Sequence, residues 1–332
     1  MMKNSRTNDV LVYIEQRHGE LQNVSIELLG IGKTLANKLG GHLNACIIGN
    51  QIDQVIDEIG HYGPETIYVK DLPLLENYVN ESYTKVLAKA IEQSKPDVVL
   101  IGATALGRDL APRVSSRVHT GLTADCTSLD IDEENQNLLM TGPAFGGNLM
   151  ATIICPDHRP QMSTVRPGVM IRPERQEKMS SKIVEIEADI TEKDLDVEIL
   201  EIVYEKKKLI KIEDANVLVS AGRGIGSKEK MSNVFKLAEL LKGEVSGTRA
   251  VVDNGWLEKD RQVGQTGKTV RPDLYFACGI SGAIQHVSGM EESNLIISIN
   301  RNIDAPIFEV SDIGIVGDVN KILPLLVKEL EK

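Results

Sequence analysis

Aromatic residues are scarce in this chain: one Trp, four Phe and seven Tyr, 4% of 332 residues. A core so poor in rings must be built from Val, Ile, Leu and Ala, which buried parallel strands and their covering helices use, so an α/β class is favoured. Cysteines are few and scattered. Cys46, Cys126, Cys155 and Cys278 form no CxxC pair, which speaks against a metal cluster or disulfide framework and fits a reducing cytosol. Basic residues are outnumbered, with 37 Lys and Arg against 48 Asp and Glu and a net charge of −11. Nucleic-acid phosphates draw on the opposite excess, and no basic stripe stands out. No stretch approaches the roughly 20 apolar residues of a membrane span. Met1 to Asp9 lacks the apolar run of a secretion signal, and its basic residues Lys3 and Arg6 are too few for a transit peptide. The expectation is a cytoplasmic protein with no nucleic-acid partner and no membrane insertion. Catalytic motifs are missing as well: no Ser-His-Asp set, no paired carboxylates, no HExxH spacing. No catalytic residue and no metal site is assigned.

At 42% hydrophobic and 26% charged, the chain can bury a sizeable core and is long enough for two domains. Its first half alternates β-branched runs with helical stretches: VLVYIE from Val10, HLNACIIG from His42, TIYVK from Thr66 and DVVLIGAT from Asp97. Helices are expected before Gly40-Gly41, near Ile52, over Tyr78 to Ser94 and in GRDLAPRVSSRVH. This is βαβ rhythm. From Thr123 to Tyr204 the pattern turns to period-two segments (LLMTGPAFG, LMATIICP, KIVEIEADI, VEILEIVY), which read as edge or antiparallel additions to that sheet. The charge run Glu205-Lys206-Lys207-Lys208 then marks a boundary, giving domains 1–206 and 207–332. In the second, strands are expected at Asn216 to Ser220, Asp273 to Cys278, Asn294 to Asn300 and IFEV, with helices at Lys228 to Lys242 and at the end, and a long Gly-rich loop region after Gly243.

Three loops in that second domain carry polar chemistry. VLVSAGRGIGSKEK runs from strand through Gly222, Gly224 and Gly226 into a helix, letting backbone approach a pyrophosphate beside free helix N–H groups. Close packing alone explains such glycines about as often. GTRAVVDNGW and RQVGQTGK place Arg249, Gln265 and Thr266 among glycines on exposed loops. Arg249 suits stacking on a ring or holding an anion, where an arbitrary arginine makes a surface ion pair; a threonine hydroxyl otherwise stabilises a turn. CGISGAIQHVSGM passes through Gly279 and Gly282 into a helix, with Ser281 placed to cap it and His286 a turn inside. A lone histidine is usually a satisfied core or surface residue, but here it heads for the same crevice, where a donor or cation would hold negative charge on a bound ring. Asn300 at a strand end and Asp318 before the last helix could read a ribose or adenine, although Asp318 is equally a good N-cap.

These stretches, together with PDLYFACGISGAIQHVSGM, INRNIDAPIF and DIGIVGD, resemble the electron-transfer flavoprotein α family closely from Ala215 to Lys328. GRDLAPRVSSRVHTGLTADCT carries a looser likeness in the first domain. The resemblance implies an α/β fold of two domains, each with a mainly parallel sheet flanked by helices. The first would be nucleotide-hydrolase-like and contact a β subunit; the second would be a Rossmann-like FAD domain. It implies FAD held by Arg223, Gly224, Thr248, Gly279 and Ser281 along the pyrophosphate and ribityl chain. Val263, Gly264, Gln265 and Thr266 with Gly282, Ala283, Ile284, Gln285 and His286 would form the ring-binding loops. Asn300, Asp318 and Val319 would lie at the adenosine end. In this picture Arg249 lies over the flavin, Thr266 faces N5 and His286 faces the N1/C2=O edge.

The function so implied is that of an electron-transfer subunit rather than a stand-alone enzyme, working as a heterodimer with a β subunit and serving an acyl-CoA dehydrogenase. The segment HRPQMSTVRPGVM, His158 to Met170, resembles members that bifurcate electrons from NADH to an acyl-CoA dehydrogenase and to ferredoxin or flavodoxin. Arg166-Pro167-Gly168 is equally a rigid turn between strands, and a simple shuttle is the alternative. Two rivals from other classes stand beside these. An NAD-dependent dehydrogenase is suggested by GRGIG after a strand, but needs an acidic residue closing the next strand, for which the sequence offers Asp253 only ambiguously. A nucleotide-sensing module would bind nucleotide without redox turnover.

Overall fold

A computed structural model describes residues 7–143, 149–177, 180–195, 197, 199–202 and 211–331. The chain divides into two compact units, Met1–Ile202 and Val203–Lys332. The charge run at Glu205 to Lys208, and the boundary expected there, lie outside the described residues.

The N-terminal unit is built on a seven-stranded sheet. Its strands are β1 (Val10–Ile14), β2 (Leu43–Gly49), β3 (Thr66–Asp71), β4 (Val98–Gly102), β5 (Leu122–Cys126), β9 (Gln161–Val165) and β10 (Lys182–Glu185). The order is β10-β3-β2-β1-β4-β9-β5, and every pairing is parallel. β1, β2, β4 and β9 are buried at every residue, as strands covered on both faces must be. Helices α1 (Asn23–Leu39), α2 (Asp53–Ile59), α3 (Asn80–Ser94) and α4 (Ala105–Arg117) supply the crossovers. α1 stops at Gly40, whose φ of +69° closes it in the left-handed conformation. α3 stops at Lys95, before Pro96, which cannot continue a helix.

The period-two region departs from the expected pattern. β6 (Ser128–Ile131), β7 (Leu138–Pro143) and β8 (Met150–Ile153) form a separate antiparallel sheet of three strands instead of extending the main one. QMSTV is an interior parallel strand, because its five side chains are all buried and both of its edges are paired. KIVE is an edge strand, paired in parallel to β3. VEILEIVY forms no strand among its described residues; Val197 and Leu200 are exposed and find no sheet to join, while Val203 and Tyr204 lie outside the described residues. Arg166-Pro167-Gly168 is the turn that follows β9, with Gly168 at φ +83° and Arg166 Nη2 2.7 Å from Asp125 Oδ2. The Gly168 N–H donates to Glu27 on α1 at 2.8 Å, and burial raises that carboxyl's pKa to about 7.

The C-terminal unit has five strands, all parallel: β11 (Val217–Ala221), β12 (Glu244–Gly247), β13 (Leu274–Cys278), β14 (Ile296–Asn300) and β15 (Ile313–Val316), in the order β12-β11-β13-β14-β15. Its helices are α5 (Ser232–Leu240), α6 (Arg249–Asp253), α7 (Ile284–Val287) and α8 (Val319–Leu330). Two sequence expectations fail here. The stretch after Gly243 is β12 followed by α6, not only loop; its glycines at 243 and 247 hide a four-residue strand with a buried Val245-Ser246-Gly247. IFEV is a 3-10 turn over Pro306–Val310, because Pro306 lacks an N–H for a ladder and its fixed φ suits a first helical turn. The fifth strand is IGIV, an edge strand with exposed Ile313 and Val316.

In both units, then, helices flank a parallel sheet, the expected fold class. Strand order in the C-terminal sheet reverses between β11 and β13, where open α/β sheets leave a crevice at the carboxyl ends of their strands.

Candidate functional site

A cleft of about 1010 Å³ opens at that switch point. Gly222 and Gly224 follow β11 and press against Gly279, which follows β13. A Cβ on Gly222 would stand 2.3 Å from the Gly279 carbonyl oxygen, and one on Gly224 2.7 Å from it. Gly279 itself has φ +66°. The two loops therefore meet backbone to backbone, and glycine is required on both sides.

Around this floor the structure brings together Arg223, Gly224, Thr248, Arg249, Val263, Gly264, Thr266, Gly279, Ser281, Ala283, Gln285, His286, Asn300, Asp318 and Val319. Of the residues expected from sequence, Gln265, Gly282 and Ile284 do not line it. Gln265 is tied at the rim by its N–H to the Gln285 carbonyl at 2.7 Å, Ile284 is exposed, and Gly282 at φ +86° packs onto the backbone of Ile307. The cleft also recruits Lys230, Gln262, Arg301 and Asn320 from four separate elements; the first three lie inside the quoted stretches VLVSAGRGIGSKEK, RQVGQTGK and INRNIDAPIF but were given no role there. Arg301 and Asn320 directly follow Asn300 and Val319; proximity to those residues was the available clue.

The polar inventory fits an anionic, extended ligand. Arg223, Lys230 and Arg301 are exposed cations without an ion pair among the described residues. The Thr248 hydroxyl precedes α6 but does not cap it, and Oγ1 is buried with no hydrogen-bond partner. Buried hydroxyls are seldom left unpaired, so this one is available to a ligand oxygen. Arg249 makes a surface pair with Asp253 at 3.3 Å and is 70% exposed. Thr266 Oγ1 accepts from Gln262 Nε2 at 3.0 Å.

The structure overturns one sequence expectation and adds detail to three. Ser281 does not cap α7; Ala283 occupies that position. Asn300 lines the cleft while also bracing the fold, its amide donating to the Ile280 carbonyl at 2.7 Å and its side-chain oxygen accepting from the Asn302 N–H. His286 is not a cation in this cleft, since burial lowers its pKa to about 4. Its ring nitrogens contact the Val263 carbonyl (Nδ1, 3.1 Å) and the Tyr275 hydroxyl (Nε2, 2.9 Å). Asp318 does cap α8, accepting from the Asn320 N–H at 2.9 Å, while still lining the cleft.

A doubly wound domain whose switch point holds a glycine-floored, cation-rimmed cleft is a nucleotide-cofactor-binding domain. Comparison with known families refines that class. Residues 10–191 match the electron transfer flavoprotein domain, and residues 211–291 match the electron transfer flavoprotein FAD-binding domain. The chain is 52% identical over 324 residues to the electron transfer flavoprotein subunit alpha of Thermoanaerobacterium thermosaccharolyticum, covering 98% of each. It is 50% identical to protein FixB of Clostridium saccharobutylicum, covering 97% of this chain and 96% of that one. It is 45% identical to a protein of Anaerotignum propionicum named acryloyl-CoA reductase electron transfer subunit beta, covering 98% and 96%. The chain belongs to the electron transfer flavoprotein α-subunit family. No described helix is long and apolar enough to cross a membrane.

Proposed function

We propose that this chain is the FAD-carrying subunit of an electron carrier that works as a heterodimer with an electron transfer flavoprotein β subunit. The observation that carries the reading is the convergence, on one glycine-floored cleft, of three unpaired cations and an orphaned threonine hydroxyl. Arg223, Lys230 and Thr248, with backbone from Gly222 to Gly224, would hold the pyrophosphate. The loops at Val263 to Thr266 and Ala283 to His286 would hold the isoalloxazine, and Asn300, Asp318 and Val319 the adenosine end. The flavin supplies the one- and two-electron chemistry. Arg249, exposed and permanently charged, suits the face of a ring that gains negative charge. Buried Val263 and His286 exclude water from the inner end of the cleft.

The N-terminal unit, on this reading, is the scaffold for the β subunit, with the working division near residues 206 and 207. An acyl-CoA dehydrogenase is the proposed partner in electron exchange, supported by the name of the A. propionicum relative. The segment His158 to Met170 supports the bifurcating form, in which NADH is the donor, ferredoxin or flavodoxin the second acceptor, and the β subunit holds a second FAD. Co-expression with the β subunit, purification and a visible spectrum test the whole reading. Two FAD per heterodimer are expected for bifurcation and one for a simple shuttle. A folded pair that is colourless and refuses added FAD overturns the assignment.

A further inference from the structure

Beneath the ring-binding loops lies a buried hydroxyl network that the proposed function leaves unused. Ser220 on β11 stands directly opposite Ser246 on β12. Tyr275 on β13 is the register partner of Leu218, so Tyr275, Ser220 and Ser246 share one face of the sheet. All three are fully buried. The Val263 carbonyl can only accept, so Nδ1 of His286 carries the ring proton. Nε2 is then the lone pair, and the Tyr275 hydroxyl donates to it. Ser220 Oγ and Ser246 Oγ are buried with no hydrogen-bond partner, on the same face of the sheet as Tyr275. Two orphaned hydroxyls beside a third that is committed elsewhere form an alternative bonding pattern held in reserve.

We propose that Tyr275, Ser220 and Ser246 form a reversible hydrogen-bond switch that lets His286 take up a proton when negative charge arrives in the cleft. In the resting pattern Tyr275 donates to neutral His286. In the alternative, one proton from solvent forms the Nε2–H bond, and Nε2–H now donates to the Tyr275 oxygen. The tyrosine O–H turns to the oxygen of Ser220 or Ser246, so that the histidine and tyrosine donors are both paired. The electron comes from the carrier's donor, and no other bond is made or broken. Without the serines, protonation would set two donors against each other across 2.9 Å. Among the described residues no charged side chain bears on His286; the titratable groups in the network are Tyr275 and, behind it, Cys278.

The inference rests on the flavin reading, so its test uses the FAD-loaded heterodimer. Nitrogen NMR of labelled histidine at neutral pH should show one protonated ring nitrogen on His286 when the flavin is oxidised and two when it is chemically reduced. In Tyr275→Phe, and in Ser220→Ala with Ser246→Ala, His286 should stay singly protonated in both states, and proton uptake on reduction should fall accordingly. The serine pair preserves the Tyr275–His286 contact and serves where Tyr275→Phe fails to fold. A wild-type His286 that remains neutral on reduction, or variants that protonate as fully as wild type, overturns the switch and leaves the flavin site standing. A pair that takes up no flavin overturns the functional reading, and the switch with it.

Discussion

At the switch point of the N-terminal sheet, between β1 and β4, side chains occupy the crevice. Glu15, 2% exposed, accepts from Arg17 at 2.7 Å and from the Thr104 hydroxyl. The Ser25 hydroxyl takes the Glu15 N–H at 2.8 Å, and the methyls of Val24 stand over Gly102. At the matching point of the C-terminal sheet, between β11 and β13, glycine backbone meets glycine backbone and the space above stays open. One doubly wound plan thus yields a crevice occupied by side chains or one left open. The difference lies in a handful of residues after the first strand of each sheet: YIEQRHGEL in one, SAGRGIG in the other.

The sharpest way to break this comparison is to add one methyl to each crevice. Gly222→Ala drives a Cβ to 2.3 Å from the Gly279 carbonyl, where neither backbone can yield. We expect a loss of about 3 kcal/mol and near-complete loss of flavin from the heterodimer, read by thermal melting and visible absorbance. Gly102→Ala meets Val24 methyls at 2.8 Å, which a rotamer change relieves. It should destabilise by about 1 kcal/mol and leave flavin content unchanged. Equal flavin loss in both would dissolve the distinction.

Acidity should separate the units in the opposite direction. Glu27 in the N-terminal unit has its folded pKa raised from 4.5 to about 7. Its contribution is therefore complete below about pH 4.5 and is lost as pH rises through 7. His286 has its folded pKa lowered from 6.5 to about 4, so its contribution is complete above about pH 6.5 and is lost as pH falls through 4. Each amounts to something on the order of 3 kcal/mol. Hydrogen exchange, corrected for intrinsic rates, should show α1 better protected at pH 5 than at pH 8 and β13 the reverse; parallel changes would contradict the assignment.

Smaller effects sharpen the contrast. Thr248→Val removes a hydroxyl that has no partner in the protein alone. Apo stability should hold steady while FAD affinity falls about tenfold, measured by flavin titration of the heterodimer. Arg17→Ala breaks a pair whose arginine is 43% exposed. A loss under about 1 kcal/mol is expected, with no change in flavin affinity.

Much of the cleft was legible because glycine spacing and strand ends are local signals: Gly222, Gly224 and Gly279 reveal a close backbone approach before any coordinates. Lys230 and Gln262 stand inside the quoted stretches VLVSAGRGIGSKEK and RQVGQTGK, but their place at the cleft was not legible, because it depends on how the turn before α5 and the loop after α6 fold back. The neutral state of His286 was hidden for the same reason, since it follows from burial against Tyr275, eleven residues earlier in sequence. In the first unit, alternation marked strands correctly at β7 and β8, failed over VEILEIVY and singled out nothing at β9. A segment buried on both faces and one buried on a single face differ only in their neighbours, which sequence periodicity does not name.

The position of β9 bears on how the protein is made. It slots between β4 and β5, both of which precede it, after the chain has detoured through an entire antiparallel sheet. A ribosome that has released only the first 150 residues presents β4 and β5 while the strand that joins them is still to come, with two bare ladder edges facing each other. Truncations ending before Gln161 should consequently be sticky rather than merely unstable, and the nascent chain stays a chaperone client until that joining strand emerges.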